Sequence, residues 1–114
     1  MKLPGGETAV IPPGKLAGYA LNVDHPRGGP KARVFRAALG LGPEHTDVLA
    51  AALLHAARTE DAELLSYVVD QGTPYRIDFV LDFNSRSAVI RSGWIVPFDG
   101  SPTALTTAFV RRRR

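Results

Sequence analysis

The chain has 114 residues and no cysteine, which excludes a disulfide framework and any thiolate-bound zinc. It has no apolar run of the length a membrane-spanning helix needs, and its opening, MKLPGGETAV, lacks the long apolar core of a signal peptide. A cytoplasmic protein with no membrane partner is expected. There is no GxxxxGK[ST] loop, no dinucleotide glycine fingerprint and no GxSxG elbow, which argues against nucleotide hydrolysis, redox work and the common acyl-transfer enzymes. His25, His45 and His55 show no HxxxH spacing, so neither a metal nor a cofactor is expected. Internal repeats are missing too, and the last four residues are the only low-complexity stretch.

What remains is the composition of an ordinary soluble globular protein, 45% hydrophobic and 22% charged. That length suits one domain around one core, expected over residues 1–110. The net charge of +3 is concentrated at the end of the chain: without the four terminal arginines, ten of the fourteen basic residues remain against eleven acidic ones. The folded part is therefore not a general polyanion binder with a basic face. Residues 111–114 read as a basic, disordered tail, with a grip on nucleic acid or an acidic partner as the other reading.

Residues 21–40, LNVDHPRGGPKARVFRAALG, are the most informative stretch. Gly28 and Gly29 free the backbone, Pro30 suits a first helical turn, and Gly40 is a C-terminal stop, so a helix is predicted over 30–39. The N–H groups at its start, at the positive end of the helix dipole, are a place for a phosphate, with Gly28 and Gly29 beside it. Lys31 is slightly disfavoured in a first turn by the same dipole, a conflict that a bound anion would cancel. Ala32, Phe35, Ala38 and Leu39 share one face of this helix, Arg33 and Arg36 lie on another, and Lys31 borders the buried face. A short extended segment is expected over 7–11 and a short helix over 15–20, in which Leu16, Tyr19 and Ala20 pack together. A longer helix is expected over 43–58, with Val48, Leu49, Ala52, Leu53 and Ala56 as its apolar stripe.

From Glu63 onward the period becomes two. Strands are expected over 65–69, 75–83, 87–96 and 104–110, with tight turns at Asn84-Ser85 and Asp99-Gly100. Helices followed by a meander give an α+β domain, with the N-terminal helices packed on one face of a four-stranded antiparallel sheet and the other face open. A two-residue loop at Asn84-Ser85 pairs Phe79 with Ile90, Ile77 with Ser92 and Tyr75 with Trp94, leaving Arg76, Asp78, Arg91 and Gly93 on the open face. A hairpin at Asp99-Gly100 would put Thr106 opposite Gly93. Asp78 would oppose Arg91, which makes Arg91 either half of a register-fixing ion pair or a cation ready for a phosphate.

Among the histidines, His25 is best placed for proton transfer, because it leads into the helix start; its alternative is a loop histidine that fixes the turn with Asp24 and Pro26. His45 is expected to be solvated and His55 to pack at a boundary. Trp94 and Tyr75 belong to the core face. Only whichever of Thr106 and Thr107 points away from the helices could donate to a ligand.

The segments KLP, AVIPPGKL-x-x-Y-x-LN, HPRGGPKARVF, ALG, RSGWIV and LTTAFV resemble a family of uncharacterised bacterial domains that occur as small free-standing proteins and as terminal domains of large secreted toxins. Its members look like the barnase, EndoU, colicin and RelE class of metal-independent ribonucleases. The resemblance spans roughly residues 2–110 and implies RNA as substrate, cleaved by attack of the ribose 2′-hydroxyl on the adjacent phosphate, with a cognate antitoxin or immunity protein as partner. On the matching positions it implies His25 for proton transfer, Lys31 and Arg91 for the phosphate and Thr106 for substrate orientation, with Gly28, Gly29, Arg33 and Arg76 as further phosphate contacts. The sequence departs from the pattern at Gly5-Gly6, where an asparagine is commoner. The rival reading is a non-catalytic protein-interaction module of the same fold in a toxin–antitoxin or phage-defence system.

Overall fold

Glycine and proline set the boundaries of the first long helix. In the computed structural model, which describes residues 1–67 and 69–111, α1 runs Gly29–Leu39 with Pro30 in its first turn. Gly40 ends it at φ 72°, a left-handed position that favours glycine. The amide Nδ2 of Asn84 donates to the Leu39 carbonyl at 3.0 Å and Arg86 Nη1 to that of Ala37 at 3.3 Å. The end of α1 is thereby tied to the tip of a hairpin far away in sequence.

The helix expected over 43–58 forms in two pieces, a 3-10 turn Pro43–His45 and then α2, Thr46–Thr59. The Gly42 N–H donates to His45 Nδ1 at 3.1 Å and the Thr46 hydroxyl to the Pro43 carbonyl at 2.7 Å, and both bonds hold the tighter turn. His45 is half-buried with its ring edge-on to Phe83 at 5.0 Å, not simply solvated. Residues Leu16–Ala20 make a π turn, closed by Ala20 N–H to the Lys15 carbonyl and Leu21 N–H to that of Leu16. The wider turn sends Leu16, Ala20 and Leu21 into the core and leaves Tyr19 half-buried.

The sheet is antiparallel in chain order: β1 (Glu63–Leu64), β2 (Gly72–Phe83), β3 (Arg86–Pro97) and β4 (Ala104–Val110). Asn84 and Ser85 take φ 55° and 59°, the conformation of a two-residue hairpin turn. The expected pairs follow: Phe79 with Ile90, Ile77 with Ser92, Tyr75 with Trp94 and Asp78 with Arg91.

Three expectations need correction. The first strand lies not over 65–69 but at Glu63–Leu64. Leu65 N–H still donates to the Pro74 carbonyl at 3.1 Å, but Pro74 has no N–H to return and the ladder stops there. The extended segment expected over 7–11 starts later: Gly6–Thr8 is a 3-10 turn, Ala9 is extended, and Val10 alone bridges to Ala104. Finally, Thr107, not Thr106, is paired with Gly93, because Trp94 pairs with Leu105 and a β-bulge takes up Thr106.

The helices cover the sheet face that carries Ile77, Ile90, Trp94 and Leu105, and Phe35, Leu49 and Leu53 pack onto it. Trp94 is core as expected, 1% exposed. Its indole N–H donates to Ser92 Oγ, whose hydroxyl donates to the Ile77 carbonyl, both at 2.9 Å. No helix among the described residues is long and apolar enough to cross a membrane. Of the expected tail, Arg111 belongs to the fold, and residues 112–114 lie outside the described residues.

Candidate functional site

The uncovered sheet face carries charge in cross-strand rows. Register places Glu63, Arg76, Gly93 and Thr107 in one row, and Asp78, Arg91 and Phe109 in the next. The Arg111 N–H donates to the Val89 carbonyl at 2.8 Å, extending the β4 pairing one step past Val110. Each row owes its side-chain direction to the strand period of two.

Arg91 is locked to its neighbour. Its Nε and Nη2 donate to the two carboxylate oxygens of Asp78, each at 2.9 Å, and Arg111 Nη1 donates to the same Asp78 Oδ2 at 3.3 Å. The hydrogen bond from Arg91, helped by the charges of Arg91, Arg111 and Arg76, holds the Asp78 carboxyl below its ordinary range against the opposing effect of partial burial. The same carboxylate raises Arg91 above the ordinary guanidinium value. One row over, Arg76 donates through Nη2 to Glu63 at 2.7 Å.

Lys31 is held differently. It leaves the first turn of α1 and sets its ammonium 4.3 Å from the centroid of the Phe109 ring. Phe109 is the cross-strand neighbour of Arg91, so the helix cation and the strand guanidinium meet on one surface.

Gly93 makes a dent between these rows. A Cβ there would lie 2.8 Å from Thr106 Oγ1 and 3.0 Å from Thr107 Cγ2. The bulge thus brings the Thr106 hydroxyl over Gly93 even though Thr106 is not its ladder partner.

His25 makes its contacts in the turn before α1. Its Nδ1 accepts the N–H groups of Arg27 and Gly28, both at 3.0 Å, its carbonyl accepts Gly29 N–H at 2.9 Å, and its ring meets Tyr19 edge-on at 4.7 Å. With Nδ1 an acceptor, the neutral ring carries its proton on Nε2. The N–H groups of Arg27 and Gly28 just before α1, and those of Gly29 and Ala32 in its first turn, are thereby engaged within the chain near where a phosphate was expected. Gly28 and Gly29 are there for packing: a Cβ would stand 2.7 Å from the Tyr19 carbonyl oxygen and 2.5 Å from that of Val23, respectively. Arg33 Nη1 donates back to the Val23 carbonyl at 3.1 Å.

Lys31 and Arg91 thus share Phe109 as a neighbour, the Thr106 hydroxyl lies over Gly93 in the adjacent row with Arg76, and His25, Gly28, Gly29 and Arg33 make their contacts in the turn before α1. Sequence reasoning missed Phe109 and Arg111, although counting alternate residues along the last strand reaches both. A shallow cleft of about 230 Å³ lined by Asp61, Ala62, Glu63, Arg76 and Asp78 opens at the β1 end of this face. Among the described residues no group of three or more His, Asp or Glu side chains could hold a metal ion.

Fold and face together define an α+β domain whose antiparallel sheet is covered by helices on one side and presents paired charges on the other. The chain belongs to the family described as a domain of unknown function (DUF6883), whose model matches residues 2–112. No curated protein and no solved structure matches the chain.

Proposed function

We propose that this chain is a metal-independent endoribonuclease of the toxin type, acting on RNA in the cytoplasm and held in check by a cognate antitoxin or immunity protein. The observation that carries this reading is the meeting of Lys31, Arg91 and Arg111 around Phe109 on the solvent-facing side of the sheet. Cations drawn from a helix, a strand and the chain beyond β4 suit a phosphodiester better than any small apolar ligand.

In the proposed reaction the 2′-oxygen attacks phosphorus, the 5′-oxygen leaves, and a 2′,3′-cyclic phosphate forms. Negative charge builds on the non-bridging oxygens, and preplaced cations lower the barrier by stabilising it. Lys31 and Arg91 take that role, Arg111 and Arg76 bind flanking phosphates, and the Thr106 hydroxyl over the Gly93 dent orients the ribose. Because the Nδ1 lone pair already accepts two backbone N–H groups, the neutral His25 ring has none free for the 2′ proton, which passes to water, and water returns a proton to the departing 5′-oxygen. His25 acts by shaping the turn that precedes Lys31.

A second reading, a non-catalytic interaction module, is favoured by the carboxylates that already engage Arg76 and Arg91. Expression in bacteria separates the two. Growth arrest that Lys31→Ala relieves supports the nuclease, whereas harmless wild-type protein supports the module.

A further inference from the structure

We infer that Phe109 is a positioning residue that holds the Lys31 ammonium at the open sheet face as a group for binding a phosphate anion. The inference rests on the proposed reading only in the choice of phosphate as ligand.

The way Lys31 is held is what makes it available. A carboxylate partner cancels an ammonium's charge and consumes its donors, as Glu63 does for Arg76 and Asp78 for Arg91. An aromatic face attracts the cation through its quadrupole and leaves N–H groups pointing outward. Among the described residues, Lys31 is the cation on this face that has a ring instead of a carboxylate. Its four-carbon stem is otherwise free to sweep through solvent, since Lys31 is exposed on α1. Phe109 is half-buried and fixed in the ladder opposite Arg91, so the ring gives the ammonium a defined place beside the Asp78–Arg91–Arg111 cluster. An anion arriving there meets the Lys31 ammonium already in position, beside two arginines that share a single carboxylate.

The test follows the Lys31 ε-methylene protons by NMR in the full chain while inorganic phosphate is added. Ring current should shift these protons upfield in the wild type and in Phe109→Tyr, and the shift should vanish in Phe109→Leu. Phosphate should move the same signals in the wild type, with affinity weakened about threefold in Phe109→Leu and restored in Phe109→Tyr. Far-ultraviolet circular dichroism and the melting temperature show whether each variant is folded, and the ring-current shift in the wild type decides the test if the leucine variant is not. Unshifted ε-methylene protons in the folded wild type, or phosphate binding indifferent to Phe109→Leu, overturn the inference. RNA cleavage is read separately: phosphate binding at Lys31 without cleavage removes the nuclease reading and leaves the positioning role.

Discussion

Asp78 accepts from Nε and Nη2 of Arg91 across the β2–β3 ladder, and the same carboxylate also accepts from Arg111. The pair is about three-quarters buried on each side, with side-chain exposures of 25% for Arg91 and 28% for Asp78. Such a carboxylate can serve two ends, fixing register and restraining two cations until a stronger anion competes for them.

Asp78→Asn separates these ends. Asp78 has a lowered pKa in the folded state, so its contribution to stability is present above its unfolded value, about 3.9, and disappears as pH falls through the folded value. The variant should lose about 1 kcal/mol at neutral pH, and the difference from wild type should close on acidification below about pH 4, as measured by urea unfolding across pH. Freed of the carboxylate, Arg91 and Arg111 should bind single-stranded RNA about threefold more tightly with a steeper salt dependence. Lower stability with unchanged RNA affinity would mean that the pair only fixes register.

Ser92→Ala tests the buried polar chain under this face. The hydroxyl stands between the Trp94 indole N–H and the Ile77 carbonyl in a fully buried place. Its loss leaves a buried donor unpaired and should cost about 1–3 kcal/mol, read as a drop of roughly 5–15 °C in the melting temperature. A drop under about 2 °C would show that the indole finds another acceptor.

Much of this geometry was legible beforehand, and the reasons differ from element to element. Gly40 and Pro30 mark α1 because few other residues suit a left-handed stop and a donor-free first turn. Asn84 and Ser85 fix the β2–β3 register because a two-residue turn leaves no slack. The bulge at Thr106 was hidden, since strand-forming threonines on both sides look alike until the packing of Leu105 and Ala108 selects which two point inward. The short β1 was hidden by a proline that acts from the partner strand. His25 was legible only as a choice between proton transfer and turn formation, because sequence does not say which ring nitrogen meets the backbone. Arg111 was lost among four identical residues, though the alternation through Phe109 ran straight into it.

Gly93→Ala probes the dent. The added methyl would crowd Thr106 Oγ1 and Thr107 Cγ2 while the Thr107 nitrogen stays 3.9 Å away, so side chains must yield and the backbone need not. A cost of about 1 kcal/mol is expected. Removing the hydroxyl with Thr106→Ala should recover part of it in a double-mutant cycle. Strict additivity would place the Thr106 hydroxyl away from Gly93.

His25→Asn distinguishes turn formation from proton transfer. An asparagine oxygen can accept the Arg27 and Gly28 N–H groups that Nδ1 now accepts, so stability should stay within about 0.5 kcal/mol, whereas His25→Ala should lose about 1 kcal/mol. RNA cleavage by His25→Asn should remain near wild type. A loss as deep as that of Lys31→Ala would return the imidazole to the chemistry.

The central claim is that cations on the open sheet face act together on one phosphodiester without a metal. Its most direct test is to incubate the purified full chain with single-stranded RNA in EDTA and identify the new ends. The account predicts 2′,3′-cyclic phosphate termini, with the rate lowered about 100-fold by Lys31→Ala. RNA left intact by the wild-type chain, or cleavage indifferent to Lys31→Ala, would contradict it.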